Sequence, residues 1–166
     1  MASERHPSTV RASMYEIMVE EARRDGIRRF GVSAIISNSE KVLLVRRRKD
    51  DFLGGIYEFP GGMVEASEGM TDALTREVRE ETGLTVSEIG KYIGSFDYDS
   101  EDGEKRRVFN FHVEIQSPLR IQLREHDLFV WADETKLAEL ELTEPILRVL
   151  DLFRAEKIQS TQRNTG

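Results

Sequence analysis

The stretch of sequence that decides the fold is GMVEASEGMTDALTREVREETGL, which runs from Gly62 to Leu84. The spacing of apolar and charged residues in its second half predicts a helix from Met70 to Thr82. Gly69 is available as the N-cap, and Gly83 is placed to end the helix because glycine tolerates a left-handed backbone. The segment therefore predicts a loop that leads into a helix with defined ends.

Carboxylates crowd one face of this predicted helix. At about 100° per residue, Glu77, Glu80 and Glu81 fall within an arc of about 100°. Like charges so close together repel, which favours a bound cation, whereas a solvated acidic face is the alternative if the glutamates are considered alone. A ligand set of oxygens only favours a hard ion, Mg²⁺ or as a second choice Mn²⁺, and Mg²⁺ commonly bridges carboxylates to phosphates. The pattern therefore indicates chemistry on phosphate groups.

The whole segment resembles the Nudix box, G-x5-E-x7-R-E-U-x-E-E-x-G-U, in which U is a bulky aliphatic residue. Every specified position is filled, in order, by Gly62, Glu68, Arg76, Glu77, Val78, Glu80, Glu81, Gly83 and Leu84. The resemblance implies a MutT-like Nudix hydrolase, which uses water to split a diphosphate bond in a nucleoside-diphosphate-linked substrate. It also implies the Nudix fold over about residues 28–157, an α/β (α+β) arrangement with a mixed β-sheet sandwiched between helices.

The resemblance further implies roles for the residues of the box. The predicted catalytic residues are Glu77, Glu80 and Glu81. These glutamates would bind Mg²⁺ or serve the attacking water, with Glu77 as the first choice of general base and the backbone carbonyl of Gly61 as a further metal ligand. Arg76 would pair with Glu68, because a guanidinium matches a carboxylate better than lysine does. The predicted structural residues are Gly62, Glu68, Arg76 and Gly83.

Residues outside the box are predicted to complete the site by the same resemblance. In MutT-like members an acidic residue before a late strand adds to the metal shell, and Glu125 stands at that position; a plain surface glutamate is the alternative. Arg47 stands where relatives hold the substrate phosphate, whereas Arg46 and Arg48 point elsewhere by strand alternation. Thr143 stands where an asparagine reads the purine in the branch that hydrolyses oxidised nucleotides, and simple helix capping is its alternative role.

Periodicity and turn residues predict the remaining elements. An amphipathic N-terminal helix, additional to the Nudix fold, begins before Met14 and ends near Gly26. The predicted strands cover residues 30–37, 41–45, 86–96, 107–115 and 128–132, with a turn at 97–104. Pro60-Gly61-Gly62 is expected to break regular pairing. Asp133 is predicted to cap a short helix to Leu140, and a last helix follows Thr143.

Composition limits the domain organisation and the chemistry. The 166 residues suffice for one core, so we expect a disordered segment at 1–12, a single domain at 13–158 and a flexible tail at 159–166. Cysteine is absent, which excludes thiolate zinc sites and cysteine nucleophiles. His6, His112 and His126 lack metal-ligand spacing, and each is predicted to be incidental.

Charge and hydropathy limit the partners. The net charge of −7 disfavours stable nucleic-acid binding, and no stretch of the sequence is long and apolar enough for a membrane span. We therefore expect a cytoplasmic protein, a monomer or homodimer, whose partner is a small nucleotide. The segment from Thr85 to Ser117 lacks the proline of the ADP-ribose-hydrolysing pattern, and the patterns for dinucleoside polyphosphates and coenzyme A are also unmatched. This elimination favours a nucleoside triphosphate, including an oxidised one, that is split into a monophosphate and pyrophosphate.

Three alternatives remain open at this level. One is a hydrolase of ADP-ribose or another nucleotide sugar. Another is a non-catalytic module that senses a nucleotide, although such modules usually lose box glutamates, which are complete here. An RNA 5′-end pyrophosphohydrolase would need a basic track along the RNA backbone, and the single run of four basic residues is Arg46-Arg47-Arg48-Lys49.

Overall fold

The computed structural model describes residues 7–164, so the expectations for residues 1–6 and 165–166 lie outside the described part of the chain. The helices are α1 (Pro7–Arg24), α2 (Met70–Thr82), α3 (Glu134–Leu137) and α4 (Glu144–Asn164). The strands are β1 (Arg29–Asn38), β2 (Lys41–Arg47), β3 (Tyr57–Glu58), β4 (Gly61–Met63), β5 (Val86–Asp99), β6 (Lys105–Ile115) and β7 (His126–Ala132). None of the helices within 7–164 combines the length and hydropathy that a membrane crossing requires.

The strands form a mixed seven-stranded sheet in the order β3-β2-β1-β6-β5, with β4 paired to β1 and β7 paired to β2. β1 runs parallel to β6, and all the other pairs are antiparallel. Parallel pairing of β1 with β6 needs a crossover, and the intervening chain supplies it with α2. This connection fixes the position of the box helix against the middle of the sheet.

Hydrophobic cores lie on both faces of the sheet. One core joins α1 and α2 to the face of β1 that carries Ala34 and Ile36. The other joins α3 and α4 to the opposite face, where Ile35 of β1 and Phe153 of α4 are buried. Because successive strand residues point to opposite faces, β1 contributes to both cores and reads as a continuous apolar run. The predicted mixed sheet between helices is confirmed, as is the additional N-terminal helix.

α2 begins and ends as its sequence predicts. Gly69 is the N-cap in extended conformation, and Asp72 lies in the first turn. Gly83 adopts φ 73° and donates its N–H to the carbonyl of Arg79 at 2.9 Å, which satisfies an orphan carbonyl of the last turn. The face that carries Leu74 and Val78 is buried against the sheet, so the glutamates of the same helix are held in fixed positions.

The glycines after Pro60 differ from their prediction. The expectation that Pro60-Gly61-Gly62 breaks pairing is wrong for the glycines, since both lie in β4, with Gly61 opposite Ser33 of β1. Pro60 lies between β3, which pairs with β2, and β4, which pairs with β1, so the chain changes strand partners at the proline. A Cβ atom on Gly61 would lie 2.2 Å from the carbonyl oxygen of Val32, and only glycine allows this close approach.

Several predicted boundaries also shift. α1 begins at Pro7 and α4 continues to Asn164, so helices occupy parts of the segments expected to be disordered or flexible. The turn between β5 and β6 is shorter than expected, because Asp97 and Asp99 belong to β5 and pair with Arg107 and Lys105. α3 ends at Leu137 rather than at Leu140. Boundaries depend on tertiary pairing that the local pattern does not contain.

Candidate active site

Strand β4 contacts two glutamates of α2, Glu77 and Glu81, through its glycines. Glu77 packs so closely on Gly62 that a Cβ there would lie 2.4 Å from the Glu77 carboxylate carbon. The Gly61 N–H donates to Glu81 Oε2 at 2.9 Å. Gly62 therefore leaves room for the Glu77 carboxylate, and the Gly61 N–H holds the Glu81 carboxylate.

Arg76 ties the box together as predicted. Its guanidinium forms two parallel bonds to the Glu68 carboxylate, from Nε and Nη2 at 2.8 Å each. Nη1 donates to Glu77 at 2.7 Å and to Glu80 at 3.2 Å, and Nη2 also donates to the carbonyl of Met63 at 3.1 Å. These bonds raise the pKa of Arg76 above its ordinary value and lower the pKa of Glu68. Arg76 thus orients the Glu77 carboxylate.

Burial is the main electrostatic feature of the two inner glutamates. Glu81 is 5% exposed, and the loss of solvent raises its pKa to about 8 against the opposing effects of His126 and the Gly61 N–H. Burial also raises the pKa of Glu77, although the bond from Arg76 opposes the shift. Two desolvated carboxylates of this kind gain stabilisation from any cation placed beside them.

The remaining predicted metal ligands lie farther out. The Glu80 side chain is 49% exposed and is engaged by Arg76. Glu125 is exposed but lines the same cleft, and its charge acts on Glu77. Within residues 7–164, no three carboxylate or imidazole side chains already converge to form a metal site. Any cation bound by all of these carboxylates would therefore require side-chain movement.

A second cluster lies beside Glu81 and joins two residues that sequence reasoning did not place in the site. Glu58 Oε1 accepts from Arg47 Nε at 2.9 Å and is 3.0 Å from His126 Nε2. The prediction that His126 is incidental does not fit this position, because its side chain is only 5% exposed and lies between two carboxylates. The sequence alone assigned no role in the site to Glu58.

The other histidine in the described chain lies elsewhere. His112 is half-buried, its Nε2 lies 2.9 Å from the Ser37 hydroxyl, and its ring packs on Phe153. The contact with Phe153 lies on the face of the sheet that packs against α4, opposite the face that carries α2. His6 lies outside the described residues.

The basic cluster at the end of β2 divides as strand alternation predicts. Arg47 points into the cleft, where it also donates to the carbonyl of Phe52 at 3.0 Å. Arg46 forms a bidentate pair with Asp127, at 2.8 and 2.9 Å, and Arg48 donates to the carbonyl of Arg124. Only Arg47 of these three arginines lines the cleft.

Arg47, Glu58, Glu81 and Glu125 line a cleft of about 880 Å³. Its other walls carry the aromatic rings Tyr57, Phe59, Phe96 and Tyr98. Thr143 also lines the cleft, and its backbone carbonyl accepts from Leu147 N–H at 3.1 Å at the start of α4. A cleft lined by both charged and aromatic side chains suits a ligand with phosphates and a flat ring.

Comparison with known proteins agrees with this geometry. The sequence model of the NUDIX domain family matches residues 27–153. The chain belongs to the Nudix family. The matched region spans all seven strands of the sheet and about the first half of α4, and it leaves out α1. The Nudix box lies inside the matched region, and the chain is a Nudix hydrolase.

Named Nudix relatives act on different nucleotides. A CTP pyrophosphohydrolase of Escherichia coli K12 is 30% identical over 126 residues, which cover 75% of this chain and 90% of the relative. An ADP-ribose pyrophosphatase of Methanocaldococcus jannaschii is 37% identical over 75 residues, 45% of this chain and 42% of the relative. The solution structure of the E. coli ORF135 protein superposes with a TM-score of 0.67 at 29% identity, covering 80% of this chain and 94% of that one.

Proposed function

We propose that this Nudix hydrolase is a Mg²⁺-dependent pyrophosphohydrolase that converts a nucleoside triphosphate into a nucleoside monophosphate and pyrophosphate. The observation that carries the proposal is the cleft, which is lined by Arg47, by carboxylates that include the buried Glu81, and by aromatic rings. The CTP pyrophosphohydrolase supports the proposal, because the similarity extends over 90% of that relative. The ADP-ribose pyrophosphatase supports the alternative substrate class less well, because its match covers 42% of its length.

The residues present fit a hard divalent cation. The inner donors are carboxylate oxygens, and burial raises the Glu81 pKa to about 8, a penalty that a neighbouring cation would offset. We assign Glu77, Glu80 and Glu81 as the ligands, with the Gly61 carbonyl and Glu125 as further ligands. When bound, Mg²⁺ or Mn²⁺ supplies polarisation of the phosphoryl oxygens and a lower pKa for attacking water.

The chain's own groups then orient the reaction. The Gly61 N–H fixes one oxygen of Glu81, and Arg76 fixes one oxygen of Glu77, so each carboxylate has its second oxygen available. Glu77 is the proposed general base, as the family resemblance implies, and burial raises its pKa in the direction that suits a proton acceptor. Arg47 lies where its guanidinium can hold a substrate phosphate.

A substrate panel tests the proposal directly. The eight common ribo- and deoxyribonucleoside triphosphates, ADP-ribose, NADH, a dinucleoside polyphosphate and a 5′-triphosphorylated RNA would be incubated with Mg²⁺. Released phosphate and pyrophosphate would be measured separately. The proposal predicts pyrophosphate from at least one triphosphate with the highest kcat/KM of the panel. A preference for ADP-ribose, or turnover of the RNA alone, would contradict it.

Replacing Arg47 by alanine is expected to raise KM by about tenfold or more, because a hydrogen-bonded charge contact to phosphate is lost. If the arginine also stabilises charge that develops in the transition state, kcat falls as well. Arg48→Ala is the matched control, since Arg48 bonds to the exposed carbonyl of Arg124 outside the cleft. Steady-state kinetics of both variants on the best substrate provide the measurement. Equal effects from the two substitutions would remove the argument for Arg47.

Thr143 bears on the choice of base. Its hydroxyl has less capacity for paired hydrogen bonds than the asparagine of the oxidised-purine branch, and its carbonyl is already committed to the start of α4. We expect a preference for 8-oxo-dGTP over dGTP below roughly a hundredfold, because strong discrimination needs a dedicated buried contact. The kcat/KM ratio of the two nucleotides measures it. A ratio of many thousands would show that another residue reads the oxidised base.

A further inference from the structure

The His126 ring is buried between two carboxylates but is bonded to only one of them. Its Nε2 lies 3.0 Å from Glu58 Oε1, a normal hydrogen bond. Its Nδ1 lies 3.9 Å from Glu81 Oε1, which is too long for a hydrogen bond, and among the side chains that the structure describes, those of residues 14–163, this buried atom has no partner. A buried polar atom without a partner costs stability that an apolar side chain would not cost. The ring is therefore held by one atom, Nε2.

An irregularity in the sheet brings the ring to this place. β2 and β7 pair regularly from Val42 opposite Ala132 to Arg46 opposite Leu128, and the register then shifts so that Arg47 lies opposite His126. Asp127 is the extra residue of this bulge, and its carboxylate binds Arg46 on the other side. Bulges next to active sites re-aim side chains in this way. The shift turns His126 and Arg47 toward the same carboxylate.

Glu58 receives both side chains on a single oxygen. Arg47 Nε donates to Oε1 at 2.9 Å, and His126 Nε2 reaches the same atom at 3.0 Å. Two donors that converge on one oxygen define the rotation of the carboxylate, and β3 fixes its backbone opposite Val45. The bond to the Phe52 carbonyl then fixes the other end of the guanidinium. Arg47 is thus held rigidly at the edge of the cleft.

We propose that His126 is a positioning residue for substrate binding, which acts through its Nε2 on Glu58 and through Glu58 on the guanidinium of Arg47. This inference rests on the proposed function only in requiring that the substrate carry phosphates. It assigns no direct contact with the substrate to His126. A pre-oriented arginine loses less side-chain entropy when it binds phosphate, so the benefit falls on KM.

The atom-specific bond makes the inference testable by substitution. A glutamine side chain places its amide nitrogen at about the reach of Nε2, whereas an asparagine amide reaches only about as far as Nδ1. His126→Gln should therefore keep the bond to Glu58, and His126→Asn should lose it. His126→Phe removes both polar atoms and retains an aromatic ring. Asp127→Asn is the control from the same bulge, outside the cleft.

The test measures kcat and KM on the best substrate of the panel, whatever its class, together with the Kd of the α,β-methylene analogue of CTP and the melting temperature. We expect His126→Phe and His126→Asn to raise KM and Kd about tenfold, because one charged hydrogen bond is lost. The kcat of both variants should change less than about threefold. His126→Gln and Asp127→Asn should remain within about threefold of wild type. Combined with Arg47→Ala, His126→Phe should add less than about twofold, because the two residues act in series.

Different results separate the two proposals. Rescue by asparagine but not by glutamine would overturn the inference, since Nδ1 beside Glu81 would then be the working atom. Full additivity with Arg47→Ala, or a loss confined to kcat, would also overturn it. A wild-type protein that hydrolyses only ADP-ribose contradicts the proposed triphosphate substrate and leaves the His126 series decisive on that substrate.

Discussion

Glu81→Gln is expected to lower kcat by about 10²- to 10³-fold while the protein stays folded. The glutamine keeps the shape of the side chain, and its oxygen can still accept the Gly61 N–H. The ionised carboxylate that a cation needs is lost. Burial raises the Glu81 pKa to about 8, so the carboxylate is costly to bury. Burying the neutral amide of glutamine should cost no more free energy.

The thermal melt separates the loss of metal from a loss of fold. Mg²⁺ should raise the melting temperature of the wild type, because a ligand that binds only the native state stabilises it. We expect this increase to be much smaller in Glu81→Gln, whose metal-free melting temperature should equal or exceed that of the wild type. Asp72→Asn is the control, since it removes an exposed carboxylate from the first turn of the same helix. Near wild-type turnover by Glu81→Gln would show that the metal assignment is wrong.

Alanine substitutions at the adjacent glycines Gly61 and Gly62 are expected to fail in different ways. At Gly61 the new Cβ would meet the backbone of β1, 2.2 Å from the Val32 oxygen, and neither chain can move without breaking the β4 pairing. The substitution should cost about 3 kcal/mol, or roughly 6–12 °C in melting temperature. At Gly62 the Cβ would meet only the end of the Glu77 side chain, at 2.4 Å, which can swing away. Gly62→Ala should therefore keep most of its stability.

Gly62→Ala should instead lose activity while the protein stays folded. Displacement of Glu77 by Gly62→Ala is expected to lower kcat about 10²-fold, the usual consequence of a misplaced reacting group. Gly69→Ala is the control, because a Cβ there meets Asp72 at an ordinary 3.5 Å. Denaturation curves and kcat values of the three variants supply the measurement. A stable Gly61→Ala protein, or a fully active Gly62→Ala protein, would contradict the close approaches on which the site depends.

Most of the box could be predicted from the sequence because its geometry is local. Helical periodicity alone places Glu77, Glu80 and Glu81 on one side of α2. The pairing of Arg76 with Glu68 is also local, since the loop before the helix returns close to its first turns. The orientation of Arg47 followed from strand alternation, and the structure agrees with it.

Local pattern did not predict the strand pairing of Gly61 and Gly62, because a short strand that contains glycine has no periodicity of its own. Its partner β1 supplies the pairing, and the packing of Glu77 explains why a larger residue is excluded at Gly62. Likewise, helix α4 extends beyond the predicted tail boundary, because its polar last turns lack the apolar repeat that would have marked them as helical.

The sequence by itself determined the family resemblance, the fold class and the acidic face of α2, since all of these reside in contiguous residues. Only the tertiary structure decided that Glu58 and His126, 68 positions apart, share a hydrogen bond beside Glu81. The bulge in β7 that turns His126 inward leaves no signature in the sequence, because it is a property of two paired strands. The burial that raises the Glu81 pKa likewise arises only when sheet and helix close around the carboxylate.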